Sequence, residues 1–282
     1  MLNKKKSRVS FNGIPTLIFG KSLVQIFKRI VQLPVYLVRL NYLALKYAIT
    51  GQRNIIDRGE ASFMGDEFAT TRYVAFMHDD KFKSSYEDAF SLVDNKITKS
   101  ILSTNSRWRA HIVTWAANQA IKVEGDFVEC GVWWGVMSKT ICNYTNFEKY
   151  NDKKFHLIDT WGDPNKENLE NKDRYNDDIF HKVKERFKKY PNVNLIRGRV
   201  PEILEEVTVK KIAYLAIDMN GHLAERATLE RYYDIITPGG IIYFDDYGWG
   251  YPKLRKTVDE FFKDKPETLL HFPSGNSIVV KL

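Results

Sequence analysis

The amino-acid sequence predicts an α/β protein built on a doubly wound, mainly parallel sheet with an N-terminal helical extension. Three observations carry that expectation. After Gly125, short apolar runs alternate with helical stretches. The first run leads through a tight glycine turn into a helix. Polar residues, several of them acidic, gather where the runs end. Alternation of this kind is the pattern of βαβ units whose strands are covered on both faces.

The chain has 282 residues, 44% of them hydrophobic, enough to bury a full core as one elaborated domain or one domain with appendages. Its net charge of +8 is unevenly spread. The first acid is Asp57, and residues 1–56 hold ten of the 43 basic residues, which leaves 33 bases against 35 acids in the remainder. The basicity therefore belongs to an N-terminal arm. Apolar runs in this arm fall short of the roughly 18 to 20 uncharged residues that span a bilayer. Lys21, Lys28, Arg39 and Lys46 recur at helical spacing, interrupted by Pro34. The pattern suits an amphipathic segment on an anionic membrane surface, or equally a helix packed on the body or on a partner subunit. No A-x-A-like cleavage site follows a compact apolar core, so no signal peptide is read. Cys130 and Cys142 fall in a strand and the next helix as core residues, and they suit a reducing cytoplasm.

Residues 57–124 are expected to form a helical cap region. Tyr86, Phe90 and Val93, then Trp108, Ile112 and Trp115, recur at helical spacing, and Ser62–Ser85 mixes aromatics, glycine and charge as a loop would. Residues 125–282 form the main domain. Strands are expected at Phe127–Cys130, Phe155–Ile158, Val193–Ile196, Ile212–Ile217, Ile241–Phe244 and Ser277–Val280, with helices over 136–148, 177–190, 223–236 and 252–263.

Ligands of such sheets bind at the carboxyl ends of the strands. At the first end, Glu129 precedes a Gly131-x-x-x-Gly135 turn that opens a helix. Glycine there permits positive φ or close approach of a ligand to the helix N-terminus. The turn lacks the middle glycine of a dinucleotide fingerprint. An acid two residues before it would repel a phosphate, and it suits a cationic amino group such as that of S-adenosylmethionine. Asp159, at the second strand end, is placed to accept hydrogen bonds from both hydroxyls of an adenosine ribose, or else to cap the following helix. Gly198 at the third end would let an adenine edge pass the backbone, or is a plain turn glycine.

Asp218 closes the fourth run and Asp245 and Asp246 the fifth. Neighbouring strands would bring these acids together, which is costly unless a cation binds or one acid is protonated. Oxygen-only ligation points to Mg²⁺, which would orient a substrate hydroxyl beside Asp218. His222, four residues past Asp218, is the candidate general base. No G-x-S-x-G nucleophile pattern occurs, so direct transfer is expected.

Glu129-Cys-Gly-Val-x-x-Gly135, Ile158-Asp-Thr160, Ile217-Asp-Met-Asn220 with Glu225, and Pro238-Gly-Gly-Ile-Ile-Tyr-Phe-Asp-Asp-Tyr-Gly248 together resemble the macrocin O-methyltransferase (TylF-like) family of class I S-adenosylmethionine-dependent methyltransferases, over roughly residues 105 to 282. Pro273-Ser-Gly-Asn-Ser277 resembles the turn before the last strand of that family. The resemblance implies a seven-stranded sheet, a saccharide or other polyol hydroxyl as methyl acceptor, and Mg²⁺. It implies that Glu129, Gly131 and Gly135 form the cofactor turn, that Asp159 is the ribose acid, and that Asp218, Asp245 and Asp246 are metal ligands. The acceptor expected is a small molecule or a glycan, lipid-linked if residues 1–56 meet a membrane, which would set the protein peripherally on the inner membrane face. A homo-oligomer is compatible with the sequence. The competing classes are a nicotinamide-dependent oxidoreductase, a non-catalytic membrane-associated scaffold, and a nucleic-acid methyltransferase. The slightly acidic body argues against a nucleic-acid partner.

Overall fold

The computed structural model describes residues 61–66, 68–91, 93, 105–161, 177–250 and 252–282. The basic arm expected over residues 1–56, and residues 57–60, 67, 92 and 94–104 of the cap region, lie outside the described residues. The chain forms two compact units, residues 1–64 with 69–74 and residues 65–68 with 75–282. In the first, the Ser62 amide donates to the Thr70 carbonyl (2.9 Å) and the Arg72 amide to Thr70 Oγ1 (3.1 Å).

Strands β1 (Phe63–Gly65) and β2 (Phe68–Thr70) form a small sheet of their own. This differs from the loop read from Ser62–Ser85, because three-residue strands are too short to show a period. Helices α1 (Asp80–Ser91) and α2 (Arg107–Ala120) follow. Of the Trp108, Ile112, Trp115 stripe, Ile112 is buried and Trp108 half-buried, but Trp115 is turned outward. Trp115 is 45% exposed, whereas Ala110, Val113, Ala117 and Ala120 are buried. Small residues let a helix approach its neighbours closely, so residue size misled the sequence reading here.

The main sheet has seven strands: β3 (Asp126–Cys130), β4 (Phe155–Asp159), β5 (Val193–Arg197), β6 (Ile212–Ile217), β7 (Ile236–Phe244), β8 (Leu270–His271) and β9 (Ser277–Val280). Their order is β5-β4-β3-β6-β7-β9-β8. The five strands from β5 to β7 run parallel, and β9 is antiparallel to both β7 and β8. The expected doubly wound, mainly parallel sheet is therefore present. Helices α3 (Val136–Thr145), α4 (Asp177–Phe187), α5 (His222–Tyr232) and α6 (Pro252–Phe262) cover it.

Each face is apolar for its own reason. One buries Val128, Cys130, Ile158, Ile217, Ile242 and Phe244 with Leu229 and Tyr232 of α5 and Val258 and Phe262 of α6. The other packs Phe127 edge-on or tilted against Phe155, Tyr214 and Phe147 at centroid distances of 5.2 to 5.6 Å. Burying each such ring stabilises by about 1.5–3 kcal/mol relative to exposure. Both cysteines are buried and unpaired.

β7 begins at Ile236, five residues before the run read from sequence, because Thr237-Pro-Gly-Gly240 makes an irregularity within the strand, with Gly239 at φ +85° and a register shift against β6, and does not turn out of the sheet. Lys281 holds it there: the Gly239 amide donates to the Lys281 carbonyl (2.7 Å) and the Lys281 amide to the Gly240 carbonyl (2.8 Å). The seventh strand, Leu270–His271, has two residues and leaves no periodic signal. Among the described residues no helix is long and apolar enough to cross a membrane.

Candidate active site

The parallel register sets the strand ends side by side. The Gly131 amide donates to the Ile158 carbonyl (2.9 Å), the Asp218 amide to the Cys130 carbonyl (2.9 Å), and the Asp245 amide to the Ile217 carbonyl (3.1 Å). Gly131 has φ +90°, and a Cβ on it would lie 1.7 Å from the Asp218 carbonyl oxygen. Glycine is thus required where β3 passes β6, whatever ligand the turn meets. Gly135 has φ +68° and caps α3 in a left-handed conformation suited to glycine.

Asp159 braces this turn. Its Oδ2 accepts the amides of Val132 and Trp133 (2.7 Å each), and its Oδ1 accepts the Trp161 amide (3.0 Å) and, at 3.4 Å, the Thr160 hydroxyl. The carboxylate expected to be free for a ribose is therefore engaged at all four of its acceptor positions. The Trp161 indole in turn donates to the Trp133 carbonyl (2.7 Å), and Arg186 Nη1 donates to the Trp134 carbonyl. Gly198 is accounted for by packing, since a Cβ there would meet the Ile203 side chain at 2.5 to 2.7 Å.

Glu129 lies in β3, the middle of the five parallel strands, 5% exposed, and its Oε2 has no hydrogen-bond partner. Burial, together with the Asp245 and Asp159 charges and against the opposing effect of Ser138, pushes its carboxyl up to about 8. A buried acid in this state is poised to ionise against an incoming cation.

Asp218, Asp245 and Asp246 do converge: each offers a carboxylate oxygen within 4.8 Å of the others. Burial first, then the Asp245 and Asp246 charges, raises Asp218 well above the usual carboxylate range. Burial and Asp245 push Asp246 up to about 7. Asp246 Oδ2 is buried without a partner. Asp245 is the most constrained of the three. Its Oδ1 accepts the Tyr243 hydroxyl and Asn276 Nδ2 (3.0 Å), and its Oδ2 accepts Arg109 Nη1 (2.8 Å). The three acids offer oxygen donors alone, and the single Arg109 guanidinium, shared with Asp66, does not offset their charge, so the residues fit one hard divalent cation such as Mg²⁺.

Sequence reasoning missed Arg109. It also carries an ion pair to Asp66 (Nε to Oδ1, 3.0 Å), and its guanidinium lies 5.6 Å from the Trp249 ring centroid. Burial alone would lower its pKa, but Asp245 and Asp66 outweigh burial and raise it further. A signal was available: Arg109 stands in helical register with buried Val113, Ala116 and Ala120. Glu225 is a second buried acid here, its Oε1 unpartnered and its carboxyl pushed to about 8 by burial and by Asp246 and Asp245. His222 opens α5, half-buried, and makes no hydrogen bond or ion pair among the described residues.

A model of the macrocin-O-methyltransferase (TylF) family matches residues 106–268, more than half of the chain. No curated protein sequence matches it. Among solved structures it is similar to the O-methyltransferase NovP, with 20% identity, 61% of this chain and 79% of that chain covered, and a TM-score of 0.51. It is also similar to the S-adenosylhomocysteine-bound Podospora anserina methyltransferase PaMTH1, with 16% identity, 72% and 88% covered, and a TM-score of 0.50. At these identities the two structures speak to the fold, and both agree with the seven-stranded sheet. The oxidoreductase and scaffold alternatives give way to the family match: the chain belongs to the macrocin-O-methyltransferase (TylF) family and is an S-adenosylmethionine-dependent O-methyltransferase.

Proposed function

We propose that the chain transfers a methyl group from S-adenosylmethionine to a hydroxyl of a saccharide or glycoconjugate, with Mg²⁺ held by Asp218, Asp245 and Asp246. The convergence of these three carboxylates at adjoining strand ends, beside the glycine turn, carries the reading. The family's description as a macrocin-O-methyltransferase supports an oxygen acceptor.

In the reaction the acceptor C–O bond forms as the sulfonium C–S bond breaks, and the hydroxyl proton leaves. Glu129 would take the cationic amino group of the methionine moiety, its unpartnered oxygen facing the charge. Gly131 and Gly135 shape the turn that the cofactor meets. A ribose hydroxyl reaches Asp159 by replacing the Thr160 hydroxyl, the longest of its four bonds. Gly198 borders the adenine side. A bound Mg²⁺ would lower the pKa of the acceptor hydroxyl and fix its oxygen. The chain's own contribution is alignment, since methyl transfer needs the oxygen about 3–3.5 Å from the methyl carbon and in line. The leaving proton goes to His222 or to the carboxylate cluster at Asp218.

Asp245→Ala would remove a metal ligand and also strip Arg109 of a buried partner, so Asp246→Asn is the cleaner variant. S-adenosylmethionine consumption with candidate nucleotide sugars and lipid-linked glycans tests the reading. Turnover that survives EDTA removes the metal, and turnover on none of these glycans removes the saccharide. Salt-sensitive co-sedimentation with anionic vesicles, lost on deletion of residues 1–56, would favour the lipid-linked class.

A further inference from the structure

Asp66 lies outside the residues matched by the family, in the turn after β1, yet it reaches the acid cluster through Arg109. It is 4% exposed and takes positive φ (44°), which aspartate tolerates better than most residues. A buried acid so placed requires an account, because its Oδ2 has no partner and its burial is costly.

The account follows from counting acceptor positions on Asp245. A carboxylate offers about four. Two on Oδ1 are filled by the Tyr243 hydroxyl and Asn276 Nδ2, and one on Oδ2 by Arg109 Nη1. One position on Oδ2 remains. A competitor for it is the same guanidinium, whose Nη1 and Nη2 form an end-on fork suited to a carboxylate. Asp66 holds Nε–H, on another edge of the guanidinium, at 3.0 Å and so fixes its orientation with Nη1 alone on Asp245 Oδ2, while Trp249 lies against it. The guanidinium is thereby divided between two acids.

We propose that Asp66 is a positioning residue for the acid cluster: by holding Arg109 Nε it keeps the last acceptor position of Asp245 Oδ2 open to a divalent cation. The proposal rests on the reading of that cluster as a cation site. It makes Asp66, remote in sequence from the three ligands, a determinant of cation affinity.

Mn²⁺ binding to the full chain loaded with S-adenosylhomocysteine, followed by electron paramagnetic resonance, tests it without a methyl acceptor. Asp66→Ala frees the guanidinium to turn Nη1 and Nη2 together onto Asp245, filling Oδ2, and lowers Mn²⁺ affinity roughly 10–100-fold, the range seen when partners of metal ligands are removed. Asp66→Asn keeps an acceptor for Nε and stays within about threefold of the native chain, losing only a nearby charge. S-adenosylhomocysteine affinity stays close to native in both variants, while the thermal midpoint falls in Asp66→Ala, which removes a buried partner of Arg109, and falls less in Asp66→Asn. Native Mn²⁺ affinity in Asp66→Ala, or equal losses in the two variants, overturns the proposal while leaving the cation site standing. No Mn²⁺ binding by the native chain removes the site and the proposal together. If the alanine variant does not fold, a tenfold or greater loss in the asparagine variant counts against positioning by geometry.

Discussion

The two halves of the site are built on opposite electrostatic terms. At the ends of β3, β4 and β5 the polar groups are mostly satisfied from within: Asp159 is filled by turn and neighbouring donors, and Gly131 and Gly198 answer to close packing. At the ends of β6 and β7 three carboxylates converge with only Asp245 paired to Arg109, and buried oxygens on Asp246 and Glu225 lack partners. The difference teaches that the cofactor turn is held in shape by the fold, whereas the acid end keeps uncompensated charge that a cation or a proton can relieve. Glu129 stands between them, a strand residue of the first half that shares the raised carboxyl pKa of the second.

The two halves touch at Gly131, and the largest effect is expected there. Gly131→Ala would drive a methyl group into the Asp218 carbonyl, and a loss of about 4 kcal/mol or more is expected in denaturant unfolding. Asp245→Ala, which strands Arg109, is expected to cost about 3–5 kcal/mol by the same measurement.

Glu129→Gln moves stability the other way. The unfolded carboxyl ionises near its ordinary value of 4.5 and the folded one near 8, so between these pH values the folded state binds the extra proton and stability falls as pH rises. The glutamine variant escapes that loss, and it is expected to gain on the order of 2–3 kcal/mol near pH 7 while binding S-adenosylmethionine more weakly. At pH 7 the native chain should release close to one proton on binding S-adenosylmethionine, read from calorimetry in buffers of different ionisation enthalpy, and Glu129→Gln should release none. Proton release equal in both would separate Glu129 from the cofactor.

Asp159→Asn tests the satisfied half. Losing charge-assisted bonds to two turn amides is expected to cost about 1.5–3 kcal/mol in stability. The smallest effect is expected at His222: His222→Asn should shift stability by less than about 0.5 kcal/mol, because the side chain makes no hydrogen bond or ion pair among the described residues. A large loss of turnover in that variant with unchanged stability would identify it as the base.

The satisfied half and the acid end differ also in how legible they were. Strand-end acids could be read because apolar runs stop abruptly at Glu129, Asp159, Asp218 and Asp245, and parallel pairing then brings them together without further information. Long-range partners could not. Asp66 and Arg109 are 43 residues apart, and Arg109 and Asp245 are 136 apart. Neither separation leaves a local pattern, although the inward register of Arg109 on α2 was available. The occupied state of Asp159 was hidden for a related reason, since its donors are backbone amides that every sequence supplies. Short elements such as β1, β2 and β8 lacked the length to show a period, and Pro238-Gly-Gly240 suggested a turn where Lys281 keeps the chain in the sheet.

The central claim is that the acid end binds a divalent cation beside a cofactor held by the turn. Calorimetric titration of Mg²⁺ into the S-adenosylhomocysteine-bound chain tests it most directly. One Mg²⁺ per chain is expected to bind, with affinity lowered by at least about tenfold in Asp246→Asn. Absence of Mg²⁺ binding by the native chain, or identical binding by the two proteins, would contradict the account.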